Sequence, residues 1–225
     1  VWQWEELPDG IRFSLYSPDG EGGFPGNIRV ITDYRFNEDN ELSVRHYAET
    51  DCATYINMTN HAYFNLCGKG KKITEHRLHI PADRILDTTP AFIPTGKRMN
   101  VKNTPFDFTS LKPIGTDLYA DHEQLLWNKG YNHCYILKDE ISVEMLEAAS
   151  LYEPVTGRNM TVMTDLPAVL LYTAGYYERP DTAVCLETQF YPDTPSHSDF
   201  PSCLVLPEKA YEHCTLFHFQ VQKEE

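Results

Sequence analysis

The chain has 225 residues, of which 41% are apolar and 23% charged, so it can bury a large core and is not globally disordered. Nineteen basic and 33 acidic residues give a net charge of −14 at pH 7. This charge repels phosphate backbones and anionic lipid headgroups, so we expect neither nucleic-acid nor membrane-surface binding. No apolar run reaches the roughly 18–20 residues needed to span a bilayer.

Apolar and polar residues alternate in four segments, which in chain order are residues 11–15, 28–36, 42–48 and 211–221. A period of two is typical of strands with one buried face. Turn sequences such as Pro18-Asp19-Gly20 separate the runs at short intervals. The pattern predicts one all-β domain over residues 1–225, built as a β-sandwich with long loops.

Residues 141–152 and 159–164 flank a turn at 154–157, which predicts a hairpin, although residues 143–149 also suit a helical turn by propensity. Residues 117–127 are the best candidate for a short helix. Two proline-rich stretches, 86–105 and 191–207, are predicted to be long loops. Such loops on a rigid sheet scaffold often carry binding groups.

Six cysteines are scattered through the chain without the two-residue spacing of zinc or redox motifs. We therefore expect free thiols in a reducing compartment, namely the cytoplasm. The first ten residues lack the basic and apolar regions of a signal peptide. His76 and His79 lie at a spacing that points them to opposite faces of a strand, so we expect no metal pair there.

Two segments contain candidate functional residues. Residues 57–66 combine asparagines with His61 and Tyr63, a mixture of hydrogen-bonding groups and aromatic surface that suits a sugar. The alternative is a strand end whose asparagines cap a turn. In residues 185–193, Glu187 follows apolar residues, which predicts a raised pKa and a role as general base. The alternative is a solvent-facing glutamate on an amphipathic strand.

These segments, with several others, resemble motifs of the aldose 1-epimerase (galactose mutarotase) family in the family's order. They are residues 17–26 (SPDGEGGFPG), 60–66 (NHAYFNL), 93–96 (IPTG), 104–108 (TPFDF), 112–115 (KPIG), 130–133 (GYNH), 167–173 (PAVLLYT) and 186–189 (LETQ). The resemblance implies a large β-sandwich with a sugar groove on one sheet face. It also implies interconversion of the α and β anomers of hexoses such as galactose or glucose, without cofactor or metal.

The resemblance assigns the general base to Glu187 and the general acid to His61, placed on either side of one pair of ring atoms. It also implies that His61, Tyr63, Asn132 and Glu187 bind the sugar. We expect a small hexose as the partner and a chain that is a monomer or a weak dimer.

The chain departs from the family at several positions. Asn132 replaces an aspartate that binds sugar hydroxyls, Leu170 replaces a glutamine and Ala168 replaces a glycine. An N-terminal portion with an Asn-Arg pair and a His-Gly-Gly histidine is also absent, so we expect an N-terminally truncated sandwich. The alternative function is a catalytically impaired carbohydrate-binding relative or fragment. A sugar-phosphate epimerase of the same fold is disfavoured by the net charge of −14.

Overall fold

The computed structural model describes residues 1–68, 70–141 and 143–222. Within these ranges there are sixteen strands and one α-helix, together with three short 3-10 turns. In chain order they are β1 (Gln3–Leu7), β2 (Gly10–Ser17), β3 (Ile28–Phe36), β4 (Glu41–Thr50), β5 (Thr54–Tyr55), β6 (Arg77–His79), β7 (Arg84–Thr88), β8 (Pro94–Asn100), β9 (Lys112–Pro113), α1 (Glu123–Asn128), β10 (Asn132–Ile136), β11 (Leu146–Tyr152), β12 (Arg158–Thr164), β13 (Ala168–Tyr172), β14 (Cys185–Gln189), β15 (Leu204–Val205) and β16 (Tyr211–Val221). The prediction of an all-β fold is confirmed.

The strands form two large antiparallel sheets. A nine-stranded sheet has the order β1-β2-β3-β4-β16-β12-β11-β6-β9, and a five-stranded sheet has the order β14-β13-β10-β7-β8. The four predicted alternating segments are strands β2, β3, β4 and β16, as their period of two indicated. The predicted hairpin is also present, because β11 pairs with β12 across the turn.

One hydrophobic core joins the two sheets. Val44 and Phe217 enter it from the nine-stranded sheet, and Tyr135 and Leu171 enter it from the five-stranded sheet. All four are essentially inaccessible to solvent. Burying side chains of this size stabilises the fold by roughly 1.5–3 kcal/mol each, so the core fixes how the two sheets face one another.

Several predicted element boundaries were wrong. The predicted loop 191–207 is not all loop, because β15 lies inside it at Leu204–Val205. The stretch 86–105 is not one loop, because β7 ends within it and β8 lies inside it. β8 is an edge strand with the sequence PTGKRMN, whose charged residues conceal the alternation that identifies a half-buried strand. β11 begins only at Leu146, so residues 141 and 143–145 are not part of the hairpin, and residue 142 lies outside the described residues.

The predicted helix over 117–127 is shorter than expected, since α1 covers only Glu123–Asn128. It ends where Lys129 adopts a left-handed conformation, with φ 53°. Gly130 follows at φ 125°, and a Cβ on it would lie 2.6 Å from the hydroxyl oxygen of Thr173. The glycine therefore lets the chain pass close to Thr173 and enter β10 directly.

Two further expectations concern the whole chain. All six cysteines are free thiols, as predicted from their spacing. Within the described residues, no helix is both long and apolar enough to cross a membrane.

Candidate active site

The candidate site lies on the outer face of the five-stranded sheet. Leu171 of β13 and Leu186 of β14 are partners in register and both point into the core. Successive side chains of a strand point to opposite faces, so their neighbours Leu170 and Glu187 face outward. These two are also partners in register, which places Leu170 beside Glu187.

The next pair along the same strands extends this outer face. Tyr172 is in register with Cys185 of β14 on one side and with Asn132 of β10 on the other. Tyr172 and Asn132 are half-buried, whereas Cys185 is buried. Asn132 therefore lies on the same sheet face as Glu187, as the predicted sugar-binding role requires.

The segment 57–66 closes the free edge of β14. Its described backbone forms no strand, apart from a single bridge between Phe64 and Val184. The side-chain amide of Asn57 makes the two hydrogen bonds to the Phe190 backbone that a neighbouring strand would otherwise make. It donates to the carbonyl oxygen of Phe190 at 3.1 Å and accepts from the Phe190 amide at 2.9 Å. The segment is thus held at both ends of the strand that carries Glu187.

The other asparagines of this segment are also used in holding it. Asn60 donates to the hydroxyl of Tyr34 at 2.8 Å and accepts from the backbone amide of Ala62. Asn65 donates to the backbone carbonyl oxygen of Thr182 at 2.9 Å. Asn60 and Asn65 also cap turns, by accepting from the backbone amides of Ala62 and Cys67, as the alternative interpretation predicted for the asparagines. His61 and Tyr63 remain exposed between them.

His61 and Glu187 meet across the edge of β14. The Nε2 atom of His61 lies 3.4 Å from the Oε1 atom of Glu187, although the residues are far apart in the chain. The His61 side chain is 49% exposed and that of Glu187 only 8%. A solvent-accessible imidazole therefore stands over a buried carboxylate. The solvent-facing alternative for Glu187 was wrong.

Burial changes the acidity of Glu187. Desolvation raises the pKa of its carboxyl group above the ordinary value, and the positive charge of His61 partly opposes that shift. The predicted rise in pKa is therefore confirmed. A carboxylate in this setting is a stronger base than one in water, while the exposed imidazole can exchange protons with solvent.

Aromatic side chains surround the pair. Tyr63 stacks on His61 with ring centroids 5.0 Å apart, and Tyr172 contacts His61 edge-on at 6.0 Å. Tyr177 lies 5.6 Å from Tyr63, and both line a cavity of about 520 Å³. Neither Tyr172 nor Tyr177 was predicted from the sequence to belong to the site. The alternation of β13 identifies Tyr172 once its register with β14 is known, but Tyr177 follows no pattern.

The same place contains a set of metal-ligating atoms. The sulfur of Cys185, a ring nitrogen of His61 and a carboxylate oxygen of Glu187 all lie within 4.8 Å of one another. These three residues are the described side chains here that could hold a metal ion.

The fold and site together define a class, namely β-sandwich proteins with a histidine–glutamate pair on the outer face of one sheet. Comparison with known proteins narrows this class. The family model described as aldose 1-epimerase matches residues 1–218. The chain belongs to the aldose 1-epimerase family.

Two relatives show the extent of the similarity. The chain is 34% identical over 233 residues to galactose mutarotase from Rattus norvegicus, covering 98% of this chain and 66% of the relative. It is 32% identical over 221 residues to aldose 1-epimerase from Escherichia coli K12, covering 93% of this chain and 63% of the relative. The chain thus spans just under two thirds of the length of these relatives.

Solved structures agree with the fold. A galactose 1-epimerase from Lactobacillus acidophilus superposes with a TM-score of 0.85 at 26% identity, covering 99% of this chain and 67% of that one. An aldose epimerase homologue from C. elegans gives a TM-score of 0.86 at 24% identity, covering 99% and 69%. The predicted galactose mutarotase-like β-sandwich is therefore confirmed.

Proposed function

We propose that this protein is a mutarotase, which interconverts the α and β anomers of hexoses by general acid–base catalysis. The observation that carries the proposal is the 3.4 Å contact between the exposed imidazole of His61 and the buried carboxylate of Glu187. Relatives named galactose mutarotase and aldose 1-epimerase support the choice of a hexose such as galactose or glucose.

The reaction needs one base and one acid close together. Glu187 takes the proton of the O1 hydroxyl while His61 donates a proton to the ring oxygen O5, and the C1–O5 bond breaks. The open aldehyde turns about its C1–C2 bond, and the ring closes on the other face as both protons return. Each proton transfer contributes roughly 10²–10⁴-fold to the rate.

The short separation refines the expected arrangement. O1 and O5 are both bonded to C1, so the groups that serve them must be neighbours. The 3.4 Å separation suits these adjacent oxygens. The arrangement predicted from the family resemblance was instead an acid and a base on either side of one pair of ring atoms. A sugar that lies over the pair, and not between its members, fits the geometry better.

The charge of the pair favours the proton transfer. A charged imidazole beside a carboxylate becomes a neutral imidazole beside a carboxylic acid, so the net charge of the pair does not change. Desolvation of Glu187 stabilises its protonated form, as its raised pKa shows. The burial that makes Glu187 basic therefore also lowers the cost of the step.

The remaining predicted residues bind the sugar. Tyr63 presents an exposed ring next to His61, which suits the C–H face of a pyranose. The side-chain amide of Asn132 supplies both donors and an acceptor for hydroxyls. Because these groups all come from one chain, we propose that it works as a monomer or weak dimer. Six free thiols support the cytoplasm as its location.

A second candidate function is carbohydrate binding without turnover. It is favoured by Leu170, which lies in register beside Glu187 and offers no polar contact where the family has a glutamine. The two candidates differ in rate and not in sugar affinity, so one set of measurements separates them.

Polarimetry on freshly dissolved α-galactose and α-glucose tests the proposal. The protein should speed equilibration above the rate in buffer, and Glu187→Gln should reduce the catalysed rate by roughly 10²–10⁴-fold. Glu208→Gln, which alters an exposed carboxylate in a loop, is the matched control and should retain the rate. Equilibration no faster than buffer, with saturable sugar binding by calorimetry, would support the second candidate instead.

A further inference from the structure

Three different metal-ligating groups meet in the candidate active site. Cys185 and Glu187 are two residues apart on β14, so they share its outer face, and His61 reaches them from the neighbouring segment. Their ligand atoms lie within 4.8 Å of one another. Cys185 and Glu187 are both more than nine-tenths buried. We propose that a zinc ion binds to His61, Cys185 and Glu187 and blocks the site.

One of the three separations already matches a zinc site. Zinc–ligand bonds of 2.0–2.3 Å in a tetrahedron place the ligand atoms roughly 3.3–3.8 Å apart. The His61–Glu187 distance of 3.4 Å already lies in this range. His61 belongs to no strand or helix and is half exposed, so its ring can make the remaining small movement. Three protein ligands leave the fourth position open for water.

The donor set selects the kind of metal. A thiolate and an imidazole favour zinc over magnesium and calcium, which prefer oxygen ligands. On binding, the Cys185 sulfur exchanges its proton for the metal, and the proton passes to the buffer. Tyr63 and Tyr172 contact the face and the edge of the His61 ring, so they keep it close to Cys185 and Glu187.

The bound ion acts as an inhibitor and not as a cofactor. It occupies the nitrogen of His61 and an oxygen of Glu187, the two groups that serve O5 and O1 in the proposed mechanism. Hexose and zinc therefore compete for the same groups. This competition rests on the proposed function, whereas metal binding itself does not.

Titration with zinc and with cobalt(II), a coloured substitute, tests the site in the full chain. We expect one ion per chain and a thiolate-to-cobalt charge-transfer band. Cys185→Ser should abolish the band and weaken zinc binding by at least about tenfold. Cys134→Ser is the matched control, because Cys134 is a buried cysteine of the same sheet packed against Tyr191 and Phe200, and it should leave both unchanged.

Two further measurements keep the outcome decisive. His61→Ala removes a ligand from an exposed position and should also weaken zinc binding, which covers the case in which Cys185→Ser does not fold. Galactose should weaken zinc binding in the unaltered protein. Zinc affinity that is the same in Cys185→Ser, or a cobalt band that survives there, overturns the proposal. Cys185-dependent zinc binding without any mutarotation would refute the proposed function and leave the metal site standing.

Discussion

At the scale of single residues, the neighbours of Glu187 set its chemistry. Leu170 lies directly beside it in register and presents an apolar, half-buried side chain. An apolar neighbour keeps water from the carboxylate and so contributes to the desolvation that raises its pKa. It also withholds a hydrogen bond from any sugar bound over the pair. Position 170 therefore couples the strength of the base to the affinity for substrate.

Leu170→Gln should increase the affinity for galactose. The new amide can bond one sugar hydroxyl, and a hydrogen bond of this kind contributes about 1 kcal/mol, or roughly fivefold in affinity. Calorimetric titration measures the change. Leu126→Gln alters an exposed leucine of α1 and should leave the affinity as it is. An affinity for galactose that is unchanged in Leu170→Gln would show that the sugar does not reach this position.

Asn132→Asp should also strengthen sugar binding. The position is half-buried on the same sheet face as Tyr172, and a carboxylate there accepts hydroxyl hydrogen bonds more strongly than an amide does. We expect a gain of roughly fivefold in affinity, which corresponds to about 1 kcal/mol. Asn132→Ala should lose affinity in the same calorimetric assay. Binding that is unchanged in both variants would mean that position 132 does not contact the ligand.

At the scale of elements, the site depends on how the segment 57–66 is fastened to β14. The segment has little regular secondary structure, so side-chain amides supply the hydrogen bonds that a paired strand would make. Asn57 holds the end near Phe190, and the bridge between Phe64 and Val184 holds the other. His61 lies between these two points. The distance between His61 and Glu187 therefore depends on these two attachments.

Asn57→Ala should loosen this segment and leave the polar backbone groups of Phe190 without their partner. The cost in the free energy of unfolding should be roughly 1–3 kcal/mol. Mutarotation should fall as well, because His61 is no longer held beside Glu187. Denaturant unfolding and polarimetry measure the two effects. Gln222→Ala removes an exposed amide and serves as the control. Full activity in Asn57→Ala would show that the segment is positioned by other contacts.

The sequence predicts elements where one face is buried and misses those without such contrast. β2, β3, β4 and β16 were predicted because each alternates strictly. β8 was missed because a charged edge strand carries little apolar alternation. The pairing of His61 with Glu187 is a tertiary contact that periodicity cannot show, and only the order of the family's motifs indicated it. Tyr177 lies in an irregular segment, where no local pattern identifies a residue of the site.

At the scale of the whole molecule, histidines are buried in both sheets. His46 lies in β4 and is 4% exposed, and His133 lies in β10 and is fully buried. Burial lowers the pKa of both, to about 4 for His46, where the neighbouring His213 adds to the shift, and to about 3 for His133. The fold therefore holds these rings neutral, although an unfolded chain protonates them near pH 6.5.

These histidines should make the protein less stable in mild acid. Between pH 6.5 and about 4 the unfolded chain binds a proton at His46 that the folded chain does not, so the free energy of unfolding falls as the pH falls. One such proton contributes a slope of up to about 1.4 kcal/mol per pH unit. Denaturant unfolding at a series of pH values measures this slope in the wild type and in His46→Gln.

In His46→Gln the free energy of unfolding should change less with pH than in the wild type, and only between pH 6.5 and about 4. The wild-type and His46→Gln curves of unfolding free energy against pH should converge as the pH falls from 6.5 towards 4. Above pH 6.5 they should stay parallel, because the His46 ring is neutral in both the folded and the unfolded chain. His218→Gln changes a partly exposed histidine on the neighbouring strand β16 and should keep the wild-type profile below pH 6.5. Curves for His46→Gln that stay parallel to the wild type through the whole window would show that His46 gains its proton without unfolding.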